Sequence, residues 1–351
     1  MRRIITTVLT CSLLLPLAAC GGKTAAGDDL LSRASGISSD ETLLTVDGRE
    51  VEAWRYLYWL AYTCDSIQTA YDEAETELDW DAAFEEGTLA DYAREQALAD
   101  TVLYAVVETM AEDRDCTLTE EDRSAMETDW TAAAEAAGGE EAYLAALGEL
   151  GLDRDRAETL AGTAYLYDRL RASACDPDSA DYPSAEDLTA FSADSGYLTV
   201  DFIRVDAGDD ADAARARAAE AFSKLNGSAA PENDFAVLAA TYSDDPDREQ
   251  YPHGRTLLVG DGTLPAEAEA AAAELEEGQW SGIVEAEGSF YILMRLPLDA
   301  STAAGAWFDW QLQSAADSAE VETAAAFDRL DAGEFWQALQ AARTAEADME
   351  A

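Results

Sequence analysis

The chain has 351 residues, with 73 acids against 22 lysines and arginines and a single histidine, for a formal charge of −51. Such a surface repels nucleic acid and anionic lipid, and a length of this size allows about two domains. One histidine, His253, argues against the commoner zinc sites and restricts a Ser/His/Asp triad to that residue; with no HExxH, P-loop or dinucleotide fingerprint, neither a metal nor a cofactor is expected.

Residues 1–19 combine a basic start (Arg2, Arg3), an apolar run from Ile4 to Leu17 and small residues before Cys20, the layout of a secretory signal. The run is shorter than the roughly 20 residues of a spanning helix, and Pro16 interrupts it. Leu17-Ala18-Ala19-Cys20-Gly21 resembles the lipobox of bacterial lipoproteins. That resemblance implies lipidation of Cys20 and a body tethered to the extracytoplasmic face of the cell membrane. Losing Arg2 and Arg3, from a segment without acids, takes the formal charge from −51 to −53. The acids are spread along the helices, which reads as a solvated surface with a cloud of divalent cations around it. Cys64, Cys116 and Cys175 then remain, an odd number with no close spacing, so no disulfide framework or CxxC pair is indicated.

Residues 20–41, rich in Gly, Ala, Ser and Asp, read as a flexible tether. Residues 42–177 read as a helical region. Thr42–Val46 has a strand pattern, Asp47-Gly48 a turn, and Val51 opens a helix to about Ala74 that is apolar around much of its circumference. Core packing is the expectation for its Trp54, Tyr56, Tyr58, Trp59 and Tyr62, the alternative being an aromatic cradle for unfolded segments. Further helices are expected over Leu89–Asp113, from the capping box Thr119–Asp122 to Ala136, over Glu140–Leu147, and from Asp153 to Cys175.

Residues 178–195, with Pro183 and several Ser and Asp, read as a hinge leading into a short helix. The pattern then changes. Residues 196–297 read as an α/β domain: a strand at Tyr197–Val205, helices over Asp210–Leu225 and around Phe235–Tyr242, a glycine-rich loop His253–Pro265, a helix at Glu267–Leu275, and a last strand at Ser289–Pro297. Residues 298–351 are helical again and carry Trp307, Phe308 and Trp310. These aromatics are expected to complete the core begun by Trp54 and Tyr58.

Four motifs of the central stretch, Phe235-Ala236-Val237-Leu238-Ala239, Tyr242-Ser243-Asp244-Asp245, Gly278-Gln279-Trp280-Ser281-Gly282-Ile283-Val284 and Ile292-Leu293-Met294-Arg295-Leu296, resemble the parvulin family of peptidyl-prolyl isomerases in order and spacing. The helices on either side, with the joint Tyr143–Leu152, resemble the chaperone region of SurA-like and PrsA-like foldases. The fold implied is α+β: a mostly helical module formed by both chain ends, with an inserted parvulin-like α/β domain.

The resemblance implies catalysis of rotation about X-Pro bonds, which uncatalysed takes tens to hundreds of seconds. It places the catalytic set at Asp245, Ser281, Tyr291 and Phe202, and the substrate-binding set at Leu264, Ala268 and Phe202. Phe202 and Tyr291 stand where the family has histidines, so the hydrogen-bonded network is altered, with the Tyr291 phenol expected to donate to Asp245 or Ser281. His253 reads as a solvated loop residue. The implied partners are unfolded or prolyl-containing secreted proteins and, through the lipid anchor, the membrane. Two functions follow: a tethered folding factor with isomerase activity, or a catalytically silent holdase whose parvulin-like domain only binds peptide. A solute-capturing lipoprotein would need a two-lobed α/β pattern, which the chain lacks.

Overall fold

The computed structural model describes residues 29–251 and 254–350. The signal, Cys20 and His253 lie outside them. The described chain divides into two compact units, one from residues 29–171 with 311–350 and one from Ala172 to Trp310.

The first unit opens with α1 (Leu30–Ser35) inside the stretch expected to be a tether. The segment is fixed because Leu30 and Leu31 are buried, Asp29 accepts the Ser32 amide at 2.8 Å as N-cap, and Gly36 closes the helix at φ 70°. The Asp29 carboxylate also meets the Arg156 guanidinium at 2.7 Å. Against its burial, hydrogen bonds from Ser39, Arg156 and Ser32 hold its pKa below the ordinary value. Strands β1 (Thr42–Val46) and β2 (Arg49–Glu52) form a hairpin. The expectation of a helix from Val51 missed β2. Asp47 and Gly48 both take positive φ, 50° and 79°, which is the two-residue turn that folds a strand straight back on itself.

Helix α2 (Ala53–Glu73) follows, then a two-residue ladder of β3 (Ala83–Phe84) and β4 (Gly87–Thr88), then α3 (Leu89–Asp113), α4 (Glu120–Ala136), α5 (Glu140–Gly148) and α6 (Arg154–Cys175). On α2, Trp54, Tyr56 and Tyr58 are buried as core, whereas Tyr62 is exposed. Cys64, Cys116 and Cys175 are free thiols. Glu108 of α3 is buried and meets Arg49 at 3.0 Å, Arg55 at 2.6 Å and the Thr163 hydroxyl at 2.8 Å. Arg49 also meets Glu112 at 2.9 Å, so the hub ties α3 to β2, α2 and α6.

The second unit begins with α7 (Ala185–Ser195), which ends the stretch expected as a hinge and is capped by Ser184 with Asp187 in a reciprocal box. Then come β5 (Tyr197–Asp206), α8 (Ala211–Asn226), α9 (Pro231–Tyr242), β6 (Arg255–Leu258), α10 (Ala266–Ala273), β7 (Val284–Ala286), β8 (Ser289–Leu296) and α11 (Ala300–Ser318). The four strands make one antiparallel sheet in the order β6-β5-β8-β7. Strand β6 lies in the segment expected to be a loop; it is held by pairing with β5 about sixty residues earlier, from Val200↔Arg255 to Tyr197↔Leu258.

Alternation along β5 and β8 sends Ile203, Val205, Phe290, Ile292 and Met294 to one face, where Ala214, Ala218, Ala221, Leu225, Phe235 and Ala239 of α8 and α9 cover them. The opposite face carries Leu198, Val200, Phe202, Tyr291 and Leu293, covered by Ala268 and Ala272 of α10 and by Leu264. Helix α10 has only 8 residues, too few to span that face, and a cavity opens beside it. Trp310, expected in the core of the terminal helices, instead packs on Phe191 at 5.5 Å within this unit.

The chain then returns. Strand β9 (Val321–Thr323) pairs antiparallel with β1, Leu44↔Thr323 to Val46↔Val321, closing the order β2-β1-β9. Helix α12 (Ala332–Glu350) packs on α1 and α2, Phe327 meets Tyr56 at 4.8 Å, and Arg343 holds Asp65 at 2.9 and 3.0 Å. The first unit is therefore built from both ends of the chain. No described helix is long and apolar enough to cross a membrane.

Candidate active site

The cavity on the second unit encloses about 270 Å³ and is lined by Phe202, Arg204, Asp245, Arg255, the 262–265 loop, Glu287, Ser289 and Tyr291. Each wall has a local cause. In the β5–β8 ladder Arg204 pairs with Tyr291 and Phe202 with Leu293, so Phe202 and Tyr291 are diagonal neighbours on one face. Their rings lie 6.0 Å apart, inclined by 51°. Burial first, and then the nearby Asp206, Glu287 and Asp245 carboxylates, push the Tyr291 hydroxyl above its ordinary pKa, against the opposing pull of Arg204. It is thus a neutral phenol at physiological pH.

Asp245 reaches the cavity because α9 ends in a clip onto β5. The Asp244 amide donates to the Arg204 carbonyl at 2.6 Å, the Arg204 amide donates to the Ser243 hydroxyl at 3.1 Å, and Asp244 accepts the Asp206 amide at 3.0 Å. The next side chain, Asp245, then faces β6. There Arg255 meets it: Nη2 lies 2.9 and 2.8 Å from the two carboxylate oxygens. The same guanidinium lies 5.1 Å from the Phe202 ring centroid and 4.7 Å from that of Tyr251.

Leu264 is delivered by a loop tied to α10. The buried Glu269 carboxylate accepts the Gly260 amide at 2.7 Å and the Leu264 amide at 3.0 Å. Asp261 braces the same loop by accepting the Leu258 and Thr263 amides at 3.0 and 2.8 Å.

Of the expected site residues, the structure brings Phe202, Asp245, Leu264 and Tyr291 into one cavity. Ser281 and Ala268 do not line it. The Ser281 hydroxyl donates to the Gly282 carbonyl at 2.7 Å and accepts the Leu293 amide at 2.9 Å, so it completes the hydrogen bonding of β8. Ala268 is fully buried between α10 and the sheet, where its small size permits close packing. The expected hydrogen bond from Tyr291 to Asp245 or Ser281 is not formed among the described residues; Asp245 is occupied by Arg255. Sequence reasoning missed Arg255 and Arg204, because nothing in a loop reading of residues 253–265 pairs Arg255 with a carboxylate ten positions away. No cluster of metal-ligating side chains occurs among the described residues.

The second unit thus carries a four-stranded antiparallel sheet with helices on both faces and a small cavity whose lining is mostly polar. Residues 202–296 match the family model described as Rotamase, PPIC-type PPIASE domain, a span that contains every expected catalytic and substrate-binding residue, so this part of the chain is a parvulin-type domain. No curated protein matches the chain at a significant level. Among solved structures, the chain is similar to the foldase PrsA of Streptococcus pneumoniae (17% identity, 79% of this chain and 89% of that one, TM-score 0.24). It is also similar to PrsA of Bacillus subtilis (14%, 75% and 91%, TM-score 0.25) and to the peptidylprolyl isomerase PrsA of Bacillus cereus (15%, 88% and 93%, TM-score 0.26).

Proposed function

We propose that the protein is a folding factor, lipid-tethered outside the cytoplasm, whose central domain binds proline-containing segments of secreted proteins and accelerates rotation about their X-Pro bonds. The observation that carries this reading is the cavity itself: Phe202, Leu264 and Tyr291 offer apolar walls for a pyrrolidine ring, opposite the Asp245–Arg255 pair. At about 270 Å³ it lies just below the usual range of small-molecule sites, roughly 300–1,000 Å³. That volume suits one proline and its flanking main chain.

Rotation breaks no covalent bond, so no nucleophile is required. The barrier of roughly 18–20 kcal/mol reflects amide resonance, and a site that fits the twisted amide better than the planar one lowers it. A ring held by three apolar side chains, with the carbonyl beside fixed polar groups, is such a site.

A second reading, a silent peptide-binding domain, has one observation in its favour. Asp245 is already neutralised by Arg255, and aromatic rings occupy both positions where the family has histidine. An isomerisation assay with a panel of X-Pro peptides separates the two: catalysis above buffer that Asp245→Ala abolishes supports the enzyme, and a rate equal to buffer leaves only the binding domain.

A further inference from the structure

We propose that Arg255 is the residue that grips the prolyl peptide, donating from its unoccupied N–H groups to a main-chain carbonyl next to the proline, in the place where an imidazole network would otherwise act. The proposal rests on the reading of the cavity as a prolyl-peptide site.

A guanidinium has five N–H groups. Both contacts to Asp245 come from Nη2. Nε is buried and closed off from solvent, whereas Nη1 has no acceptor among the described residues and is not among the buried atoms, so the donors on Nη1 remain for a ligand. The group is also held rigidly: the carboxylate fixes one edge and the rings of Phe202 and Tyr251 lie 5.1 and 4.7 Å from its centre. Phe202 is at once a wall of the cavity and a platform for the guanidinium, so a proline against that ring brings its carbonyl close to Arg255.

The local charge balance selects a neutral acceptor over an anionic one. Arg255 is matched by Asp245, Arg204 is matched by Asp206 at 2.7 Å, and Glu287 adds a further negative charge to the lining. A peptide carbonyl accepts a hydrogen bond there without bringing charge, whereas an acidic residue before the proline meets no unpaired cation. Lysine cannot reproduce the arrangement, since it has no planar fork to stack on Phe202 while holding Asp245.

The test is an NMR titration of the full chain with acetyl-Ala-Leu-Pro-Phe-amide, following the Arg255 Nη1–H resonance, with parallel affinities for Arg255→Lys and for the charge-neutral pair Asp245→Asn/Arg255→Gln. Expected are a peptide-dependent shift of that resonance and at least a ten-fold weaker affinity in both variants. The Asp245→Asn/Arg255→Gln pair avoids stranding a buried carboxylate, and the wild-type resonance reports even where a variant fails to fold. Wild-type binding with no movement of the resonance, or with both folded variants within two-fold of wild type, overturns the assignment of Arg255 and leaves the peptide-binding reading standing. Ten-fold tighter binding of the Glu-Pro analogue also overturns it, by making the cavity an anion site. Absence of wild-type binding to any prolyl peptide overturns both.

Discussion

Replacing Glu269 tests how the cavity is held in shape. This carboxylate is 3% exposed and accepts two main-chain amides, Gly260 at 2.7 Å and Leu264 at 3.0 Å. Glu269→Ala removes both acceptors. A hydrogen bond to a charged group is worth about 1.5–3 kcal/mol, and a buried donor left unsatisfied costs a similar amount. Gly260 lies on an exposed turn, where water replaces the lost acceptor, while the Leu264 amide is enclosed. The net cost is therefore about 2–4 kcal/mol. For a domain of this size that lowers the midpoint of thermal unfolding of the central unit by roughly 6–15 °C. Glu269→Gln keeps one acceptor but turns an amide donor toward the other N–H, and it is expected to lose about half as much. Hydrogen exchange is the sharper assay: the Leu264 amide is expected to be protected in wild type and to exchange at least ten-fold faster in Glu269→Ala. Prolyl-peptide affinity should fall with it, because Leu264 forms a wall of the cavity. Unchanged exchange at Gly260 and Leu264, with a melting point within 2 °C of wild type (on the order of the shift about 0.5 kcal/mol produces), would refute the role assigned to this carboxylate.

Two further outcomes follow from the first unit and the N-terminus. Burial raises the Asp100 carboxyl from its ordinary 3.8 to about 6. Between those values the folded state holds a proton that the unfolded state has lost, so this group's contribution to stability declines as pH rises from about 4 to about 6. Asp100→Asn is accordingly expected to melt above wild type at pH 7.5 and level with it below pH 4; a variant less stable than wild type at pH 7.5 contradicts the sign. Cys20→Ser is expected to move the protein from the membrane fraction to the soluble fraction and to abolish acyl labelling, whereas an unlabelled wild-type protein in the soluble fraction removes the lipid anchor from the proposal.

Local signals in the sequence were strong enough to show most of the fold. The period change at Tyr197, the capping box at Thr119 and the Asp47-Gly48 turn each encode their structure within a few residues. What was misread depends on distant partners. Leu30 and Leu31 look like part of a polar tether until α12 supplies the surface that buries them. Arg255–Leu258 becomes a strand only beside β5. The candidate site divides in the same way: the parvulin resemblance picked out Phe202 and Tyr291, but the engagement of Asp245 by Arg255 and the structural duty of Ser281 come from tertiary geometry. Ala268, which only the resemblance assigns to the pocket, is buried between α10 and the sheet.

The central claim is that a parvulin-type cavity without histidine still turns prolyl bonds. Magnetisation-exchange NMR on acetyl-Ala-Leu-Pro-Phe-amide, with and without the protein across pH 5.5 to 8.5, measures this without a coupling protease. The account predicts a cis–trans exchange rate above that of buffer, nearly flat with pH because no imidazole of the described site titrates in that range, and lost in Asp245→Ala. An exchange rate equal to that of buffer at every pH, in a protein that binds the same peptide, would contradict it and leave a peptide-binding domain without turnover.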